Sequence, residues 1–173
     1  MPHDSLPRKL DLRKLVSAGS AAHGSVSLRS LPRLADLWPS EPGFAEVDIT
    51  GVVDDAGNRC VLGTVTAKLR MRCQRCLEEF DQQCRADVAL GLLWSDAEVA
   101  NLPRHLDPLV IGVEPCDLYE LVEQELLLSL PIVALHQPED CNVDLRTAFG
   151  PRDDSDERDS SGPFSVLSKL KKT

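Results

Sequence analysis

The sequence predicts an α+β fold in which an antiparallel β-meander packs against one long buried helix. Three runs of alternating apolar and polar residues between Ala45 and Trp94 indicate the strands. An apolar stripe at helical spacing after Asp117 indicates the helix. A Cys-x-x-Cys motif between the second and third runs predicts a hairpin tip of the zinc-knuckle kind.

Length and charge narrow the class of protein. The 173 residues suffice for one domain with tails, and 42% of them are hydrophobic, which is enough for a packed core. The formal charge of −9 excludes a protein that binds nucleic acid through overall positive charge, so an RNA partner must meet a local basic patch. With neither a signal-peptide core nor a membrane-length apolar run, we expect a cytoplasmic protein. Its six cysteines are then thiols or metal ligands rather than a disulfide framework.

Composition divides the chain into three regions. Residues 1–43 form a helical or extended N-terminal region, residues 44–149 an α+β core with the Cys-x-x-Cys hairpin, and residues 150–173 a disordered acidic linker with a C-terminal docking peptide. In the first region, residues 6–15 predict a short helix or an extended start. Residues 17–27, rich in Gly, Ala and Ser, predict a loop, and residues 28–38 a second short helix.

The core region contains the predicted strands and the main helix. Residues 45–49, 61–71 and 84–94 alternate in polarity, and a turn cluster separates the first two runs. Residues 109–111 predict a further short strand. Asp117 is the expected helix N-cap, with Glu120 completing a capping box. The apolar stripe of the helix is widened by Leu127 and Leu128, which predicts that the helix is well buried.

The last region changes composition abruptly. Residues 151–161 contain five acids, two arginines and no large apolar residue, so we expect them to be disordered. The terminal peptide has apolar anchors and a lysine-rich end, as short docking motifs do, although a frayed tail is the alternative. Its candidate partner-binding residues are Phe164, Val166, Leu167, Lys169, Lys171 and Lys172.

The cysteine motif is the sharpest chemical feature. Cys73 and Cys76 at a hairpin tip form half of a tetrahedral zinc site. His136 and Cys141, just after the main helix, offer the other half, so we expect one structural zinc held by these four residues. Two other interpretations remain open: a turn without metal, or a redox dithiol of the kind that usually begins a helix. Cys60, Cys84 and Cys116 are expected to be small buried or half-buried residues.

A group of cations surrounds the same motif. Lys68, Arg70, Arg72 and Arg75, called here the basic ridge, lie within eight residues that contain no acid. Such a ridge beside a rigid hairpin tip can bind RNA phosphates. The alternative is an ordinary solvated sheet face. Because the only aromatic residue nearby is Phe80, contacts to the RNA backbone are favoured over base-specific ones.

No enzyme pattern is present in the sequence. A Gly-rich phosphate loop and a nucleophile elbow are both absent, and the four histidines are scattered. We therefore expect a protein that is not an enzyme.

Several motifs together resemble the YceD family, the large ribosomal RNA subunit accumulation proteins. They are Cys73-Gln-Arg-Cys76-Leu, the helix end Glu123-Gln-Glu-Leu-Leu-Leu-Ser-Leu-Pro131, the following His136 and Cys141, and Pro163-Phe-Ser-Val-Leu167 with its lysines. The resemblance implies a non-enzymatic role in synthesis, processing or stability of 23S ribosomal RNA during large-subunit assembly. It also supports a four-ligand site, with His136 standing where some relatives have Cys.

Three functional hypotheses follow. The first is an assembly factor that contacts precursor 23S ribosomal RNA or the large-subunit particle through the basic ridge, and a ribosomal protein or another assembly factor through its tail. The second is an adaptor for a basic ribosomal protein without RNA contact, which the acidic charge favours. The third is a thiol oxidoreductase that uses Cys73 and Cys76. None of them requires a membrane or a small-molecule substrate.

Overall fold

The computed structural model describes residues 5–39 and 43–141. The chain divides into two compact units, Met1–His136 and Gln137–Thr173. In the second unit the described residues include one short 3₁₀ helix, Pro138–Asp140. The acidic linker and the terminal docking peptide lie outside the described residues. The three-region division of the chain stays a prediction.

The first unit contains seven strands and two α-helices among its described residues. The strands are β1 (Lys9–Leu10), β2 (Ala21–Ser27), β3 (Phe44–Val53), β4 (Arg59–Arg72), β5 (Glu79–Leu93), β6 (Asp107–Val110) and β7 (Cys116–Asp117). The α-helices are α1 (Leu12–Ser17) and α2 (Leu118–Ser129), and 3₁₀ helices occur at Leu28–Ser30, Pro32–Leu37 and Asp96–Asn101.

The main sheet has five strands in the order β2-β3-β4-β5-β6. The predicted meander is confirmed, since β3, β4 and β5 pair antiparallel in sequence order. β6 is the predicted short strand after residue 106, and it runs parallel to β5 because residues 94–106 carry the chain back along the sheet. β1 and β7 form a separate two-stranded sheet.

The prediction of a loop at residues 17–27 is wrong for most of that segment. Residues Ala21–Ser27 form β2, which pairs antiparallel with β3 along its whole length. Its small Ala, Gly and Ser residues lack the alternating pattern that identifies a strand. An edge strand can nevertheless form through backbone hydrogen bonds to a strong neighbour, and β3 is such a neighbour.

The rest of the N-terminal region is helical or extended, as expected. It starts extended at β1, and α1 follows with Asp11 as its N-cap, accepting hydrogen bonds from the N–H groups of Arg13 and Lys14. The second predicted helix is present as two 3₁₀ helices separated at Leu31. Pro32 begins the second of them, because its fixed φ suits a first helical position.

The main helix begins as predicted and is less buried than predicted. The carboxylate of Asp117 accepts hydrogen bonds from the N–H groups of Tyr119 and Glu120, which confirms the cap. α2 has 12 residues, and its buried side chains form a single stripe. The expectation that Leu128 widens this stripe is wrong, since Leu128 is 74% exposed. The helix is therefore amphipathic, and apolar side chains on one side of its C-terminal end are exposed to solvent.

One face of the sheet is covered and the other is open. Along most of β3, β4 and β5 buried and exposed residues alternate, and the buried ones pack with those of α1, the 3₁₀ helices and α2 in one core; at residues 90–93 of β5 every residue is buried. We call residues 5–39, which include β2 at the edge of the sheet, the N-terminal layer. Among the described residues, no helix is long and apolar enough to cross a membrane.

Candidate metal centre and cationic surfaces

The Cys-x-x-Cys motif lies between β4 and β5, at the hairpin tip where the sequence predicted it. Its loop closes through two backbone hydrogen bonds, Cys73 N–H to Glu78 O (2.8 Å) and Leu77 N–H to Cys73 O (2.9 Å). Leu77 has a φ of 64°, a left-handed conformation that costs a non-glycine residue about 1–2 kcal/mol. The closing bonds hold this strained residue in place, so the loop is a rigid support for both thiols.

The segment after α2 brings His136 to this loop. Gln74 donates its N–H to Ala134 O at 2.9 Å, and the Arg75 guanidinium donates to His136 O at 3.3 Å. The His136 ring also packs against Phe80, with ring centroids 4.5 Å apart. These contacts join residues 60 positions apart in the chain and fix where the imidazole lies.

Three of the four predicted ligands meet in the first unit. The Sγ atoms of Cys73 and Cys76 and a ring nitrogen of His136 lie within 4.8 Å of one another. The Cys76 Sγ is 3.2 Å from His136 Nδ1. The fourth predicted ligand, Cys141, belongs to the second unit. Two thiols and an imidazole at this spacing are a donor set that suits zinc, and so the cluster can bind a metal.

The electrostatics around Cys73 favour its thiolate. Burial raises the pKa of this thiol, as it does for any acidic group whose charged form is withdrawn from water. Hydrogen bonds to the sulfur outweigh burial and lower the pKa to about 6. The donors are the backbone N–H groups of Cys76, His136 and Arg75, together with the Cys76 side chain. A thiolate stabilised in this way is a ready metal ligand.

Sequence reasoning named the thiols and missed these backbone donors. The N–H groups of Arg75 and Cys76 point towards the first sulfur because of the geometry of the turn rather than because of residue type, and that of His136 comes from the segment after α2. The position of the motif also weakens the redox interpretation. Cys73 and Cys76 lie between antiparallel strands, whereas redox dithiols usually begin a helix.

The unpaired cysteines were predicted correctly. Cys60 and Cys84 are buried in the first unit and Cys116 is half-buried. Burial raises the pKa of each of these thiols, so they are neutral packing residues at physiological pH.

The basic ridge lies on the open face of the sheet. Lys68, Arg70 and Arg72 alternate with buried Leu69 and Met71, which confirms that the three share one strand face. The pairing of β4 with β5 then places acids opposite them.

Each ridge cation has a partner within the protein. Lys68 Nζ is 3.0 Å from one oxygen of Asp81, and Arg70 Nε is 3.0 Å from the other. Arg70 also lies 3.7 Å from Glu79, and Arg72 donates to the carbonyl of Leu77 at 2.8 Å. Hydrogen bonds from Lys68 and then Arg70 lower the pKa of Asp81, so that carboxylate is charged near neutral pH. The charges of Lys68 and Arg70 are thus engaged by carboxylates, whereas Arg72 donates to a neutral carbonyl.

An exposed aliphatic segment lies just before His136 in the chain. Leu128 at the end of α2 is followed by Ile132, which is 96% exposed, and by Val133 and Leu135, which are about half exposed. Pro131 carries the chain away from the core after the helix, which leaves these side chains in water.

Comparison with known proteins gives one consistent result. The family model of "Large ribosomal RNA subunit accumulation protein YceD" matches residues 61–171. The protein of that name from Haemophilus influenzae is 30% identical over 152 residues, which is 86% of this chain and 86% of the relative. No solved structure matches the chain. The region matched by the family model contains the hairpin tip, α2 and all four candidate ligands.

Proposed function

Because the chain belongs to the YceD family of large ribosomal RNA subunit accumulation proteins, we propose that it acts in the synthesis, processing or stability of 23S ribosomal RNA during large-subunit assembly. The observation that carries this proposal is the match to the Haemophilus influenzae relative over 86% of both chains. The protein acts without catalysis, in the cytoplasm, on precursor 23S ribosomal RNA or the immature subunit.

Depletion of the protein in cells tests this role. We expect mature 23S ribosomal RNA to fall relative to 16S ribosomal RNA, and large subunits to fall relative to small ones on sucrose gradients. Re-expression of the full chain should restore both ratios. An unchanged 23S to 16S ratio, or an equal loss of both RNAs, would contradict the proposal.

A structural zinc fits the cluster at the hairpin tip. Cys73, Cys76 and His136 supply three donors, and Cys141 is five residues beyond His136, which is close enough along the chain to supply the fourth. Zinc held by these residues would fasten the hairpin tip to the segment after α2. The role is stabilising, because metal binding free energy adds to folding free energy.

Metal analysis of the purified full chain tests the site. We expect about one zinc per chain, and we expect Cys76→Ser to lose it. Cys116→Ser is the matched control, because Cys116 is a half-buried cysteine outside the cluster and should retain the metal. If the wild-type protein is folded without metal and Cys76→Ser has the same properties, the four residues only pack together and do not bind zinc.

The mode of RNA contact is phosphate binding by cations near the hairpin. In this proposal the basic ridge and the lysines of the terminal peptide dock onto precursor RNA or a protein of the particle. The pairing of Lys68 and Arg70 with Asp81 means that phosphates must compete with a carboxylate already in place. Ridge binding should therefore be weak and sensitive to salt.

A second candidate function is an adaptor for a basic ribosomal protein. Two observations favour it: the exposed aliphatic segment, and the excess of acids over cations in residues 43–141, which is 18 against seven. An aliphatic anchor on an acidic part of the chain suits a partner with apolar and basic residues.

Crosslinking in growing cells separates the two candidates. Only direct RNA contact predicts protein–RNA crosslinks, whereas the adaptor predicts crosslinks to a ribosomal protein alone. Under the adaptor hypothesis Ile132→Glu should abolish those protein crosslinks. Val113→Glu is the control, since Val113 is 83% exposed at another site and should have no effect. If Ile132→Glu keeps these crosslinks, the aliphatic segment is not the binding surface for the ribosomal protein.

A further inference from the structure

We infer that the N-terminal layer, rather than the basic ridge, provides the main surface for RNA phosphates, through Lys9, Lys14, Arg29 and Arg33. This inference rests on the proposed function, because it assumes that the protein contacts ribosomal RNA directly. It concerns a part of the chain that the family model does not match, since that match begins at residue 61.

The first argument is the uneven distribution of charge. Residues 5–39 carry six lysines and arginines against two acids, whereas residues 43–141 carry seven against 18. The N-terminal layer is therefore a positive region within an acidic protein. Because the electrostatic potential at a surface depends on nearby charges, a local excess of cations attracts phosphates even when the total charge is −9.

The second argument is that most of these cations are not engaged by acids. Among the described residues, ion pairs in the layer join Arg8 to Asp117 and Arg13 to Asp11. Neither Lys9, Lys14, Arg29 nor Arg33 has a carboxylate within ion-pair distance in the described part of the chain, and all four are exposed. Their charge is available to a ligand, whereas Lys68 and Arg70 of the ridge are engaged by carboxylates.

The third argument is position. The elements of the layer cover one face of the sheet, and the ridge lies on the other. Arg8 and Arg33 line a single cavity of about 240 Å³, which the carboxylates of Asp117, Glu120 and Glu123 line as well.

Two of the three acids that line this cavity have partners, and Glu120 is the third acid. Asp117 pairs with Arg8 and caps α2, and Glu123 accepts the backbone N–H of Arg33 at 2.7 Å. Two aromatic rings also adjoin the cations. The Arg29 guanidinium lies 5.9 Å from the Trp38 ring and that of Arg8 lies 5.6 Å from the Tyr119 ring. Such stacking holds the guanidinium groups in place while leaving their N–H groups able to bind phosphate.

Paired charge-neutralising variants of the full chain test the inference. The layer variant carries Lys9→Gln, Lys14→Gln, Arg29→Gln and Arg33→Gln. The ridge variant carries Lys68→Gln, Arg70→Gln and Arg72→Gln. It also carries Arg85→Gln, on the same face of the neighbouring strand β5, in place of Arg75, which is spared because that side chain contacts His136. Both lose four positive charges, so a general effect of net charge would weaken both equally.

The probe is a 30-nucleotide RNA hairpin of mixed sequence, titrated at several salt concentrations. We expect the layer variant to bind at least about tenfold more weakly and to reduce the salt slope by about three units, because each phosphate contact contributes about 0.7–0.9. The ridge variant should weaken binding by less than about threefold. A charge-conserving variant, with Lys9→Arg, Lys14→Arg, Arg29→Lys and Arg33→Lys, should bind as the wild type does.

The outcomes separate this inference from the proposed function. A layer variant that binds as well as the wild type, or a ridge variant that loses as much, overturns the inference while direct RNA contact stands. Loss of binding in the charge-conserving variant overturns it as well, since charge would not be the cause. A wild-type protein that does not bind the RNA overturns both the inference and direct contact, and the 23S accumulation role is then decided by the depletion experiment.

Discussion

Two groups of cations in this protein look alike in the sequence and differ in the structure. The basic ridge on β4 and the cations of the N-terminal layer each occur in a stretch with few acids nearby in the chain. In the folded chain Lys68 and Arg70 form ion pairs with Asp81, whereas Lys9 and Lys14 form none with a described carboxylate, although Lys9 lies opposite Asp117 in the β1–β7 pair. The number of cations in a stretch of sequence is therefore a poor guide to how much positive charge the folded surface presents to a ligand.

The difference comes from the secondary structure of each region. Antiparallel pairing of β4 with β5 sets Arg70 opposite Asp81, 11 residues along the chain. Neighbouring strands with open-face residues tend to pair opposite charges in this way, because like charges directly opposite destabilise the sheet. The N-terminal layer is built from short elements with few acids, and it packs mainly through leucines. Its cations are left pointing into water.

We expect the largest effect from a substitution that displaces α1, and with it Lys14, from the sheet. A Cβ on Gly51 would lie 2.5 Å from the backbone of Leu15 and Val16, so Gly51→Ala must push α1 away from β3. We expect the free energy of unfolding to fall by about 3 kcal/mol in a denaturant titration. RNA affinity should fall too, since α1 carries Lys14.

Gly112→Ala is the control for this substitution. A Cβ there would have its nearest neighbour at 4.0 Å, so stability should change by less than about 0.5 kcal/mol. Equal stability of the two variants would show that the close approach at Gly51 does not attach the layer.

Removing the contact between α2 and the second 3₁₀ helix should lower the free energy of unfolding by an intermediate amount. Glu123 is 5% exposed and accepts the N–H of Arg33, so Glu123→Ala leaves that N–H without its partner. We expect a loss of about 1–2 kcal/mol in the free energy of unfolding. Glu123→Gln keeps a side-chain oxygen and should lose clearly less. If Glu123→Ala and the wild type melt at the same temperature, the hydrogen bond from Arg33 to Glu123 does not stabilise the attachment of the N-terminal layer to α2.

We expect the smallest effect from replacing Asp81, the acid that pairs with the ridge, and this substitution compares the two groups of cations directly. Asp81→Asn removes the charge that engages Lys68 and Arg70, so the ridge should become available and RNA affinity should rise by about threefold. Stability should change little, because these ion pairs are partly exposed. Asp55→Asn, in an exposed turn, changes the net charge equally and should raise affinity less. Equal gains in the two variants would mean that Asp81 does not mask the ridge.

Much of the core was predictable because its patterns are local. The strict alternation along β4 and β5 and the cap at Asp117 each follow from residues that are close in the chain, and all three are confirmed. β2 was missed because its small residues form a strand through the neighbouring strand rather than through their own pattern. Leu128 was misjudged because helical spacing shows which residues share a side, but not where the covering sheet ends.

The candidate site divides in the same way. The sequence alone identified Cys73, Cys76 and His136 as residues with metal-ligand chemistry, because that chemistry belongs to the side chain and its spacing in a turn. Only the tertiary structure brought His136 to within 3.2 Å of Cys76 and set Asp81 against the ridge, because both results depend on contacts between segments far apart in the chain. Residue type determines what a group can bind, and the fold determines whether its charge or lone pair is still available to bind it.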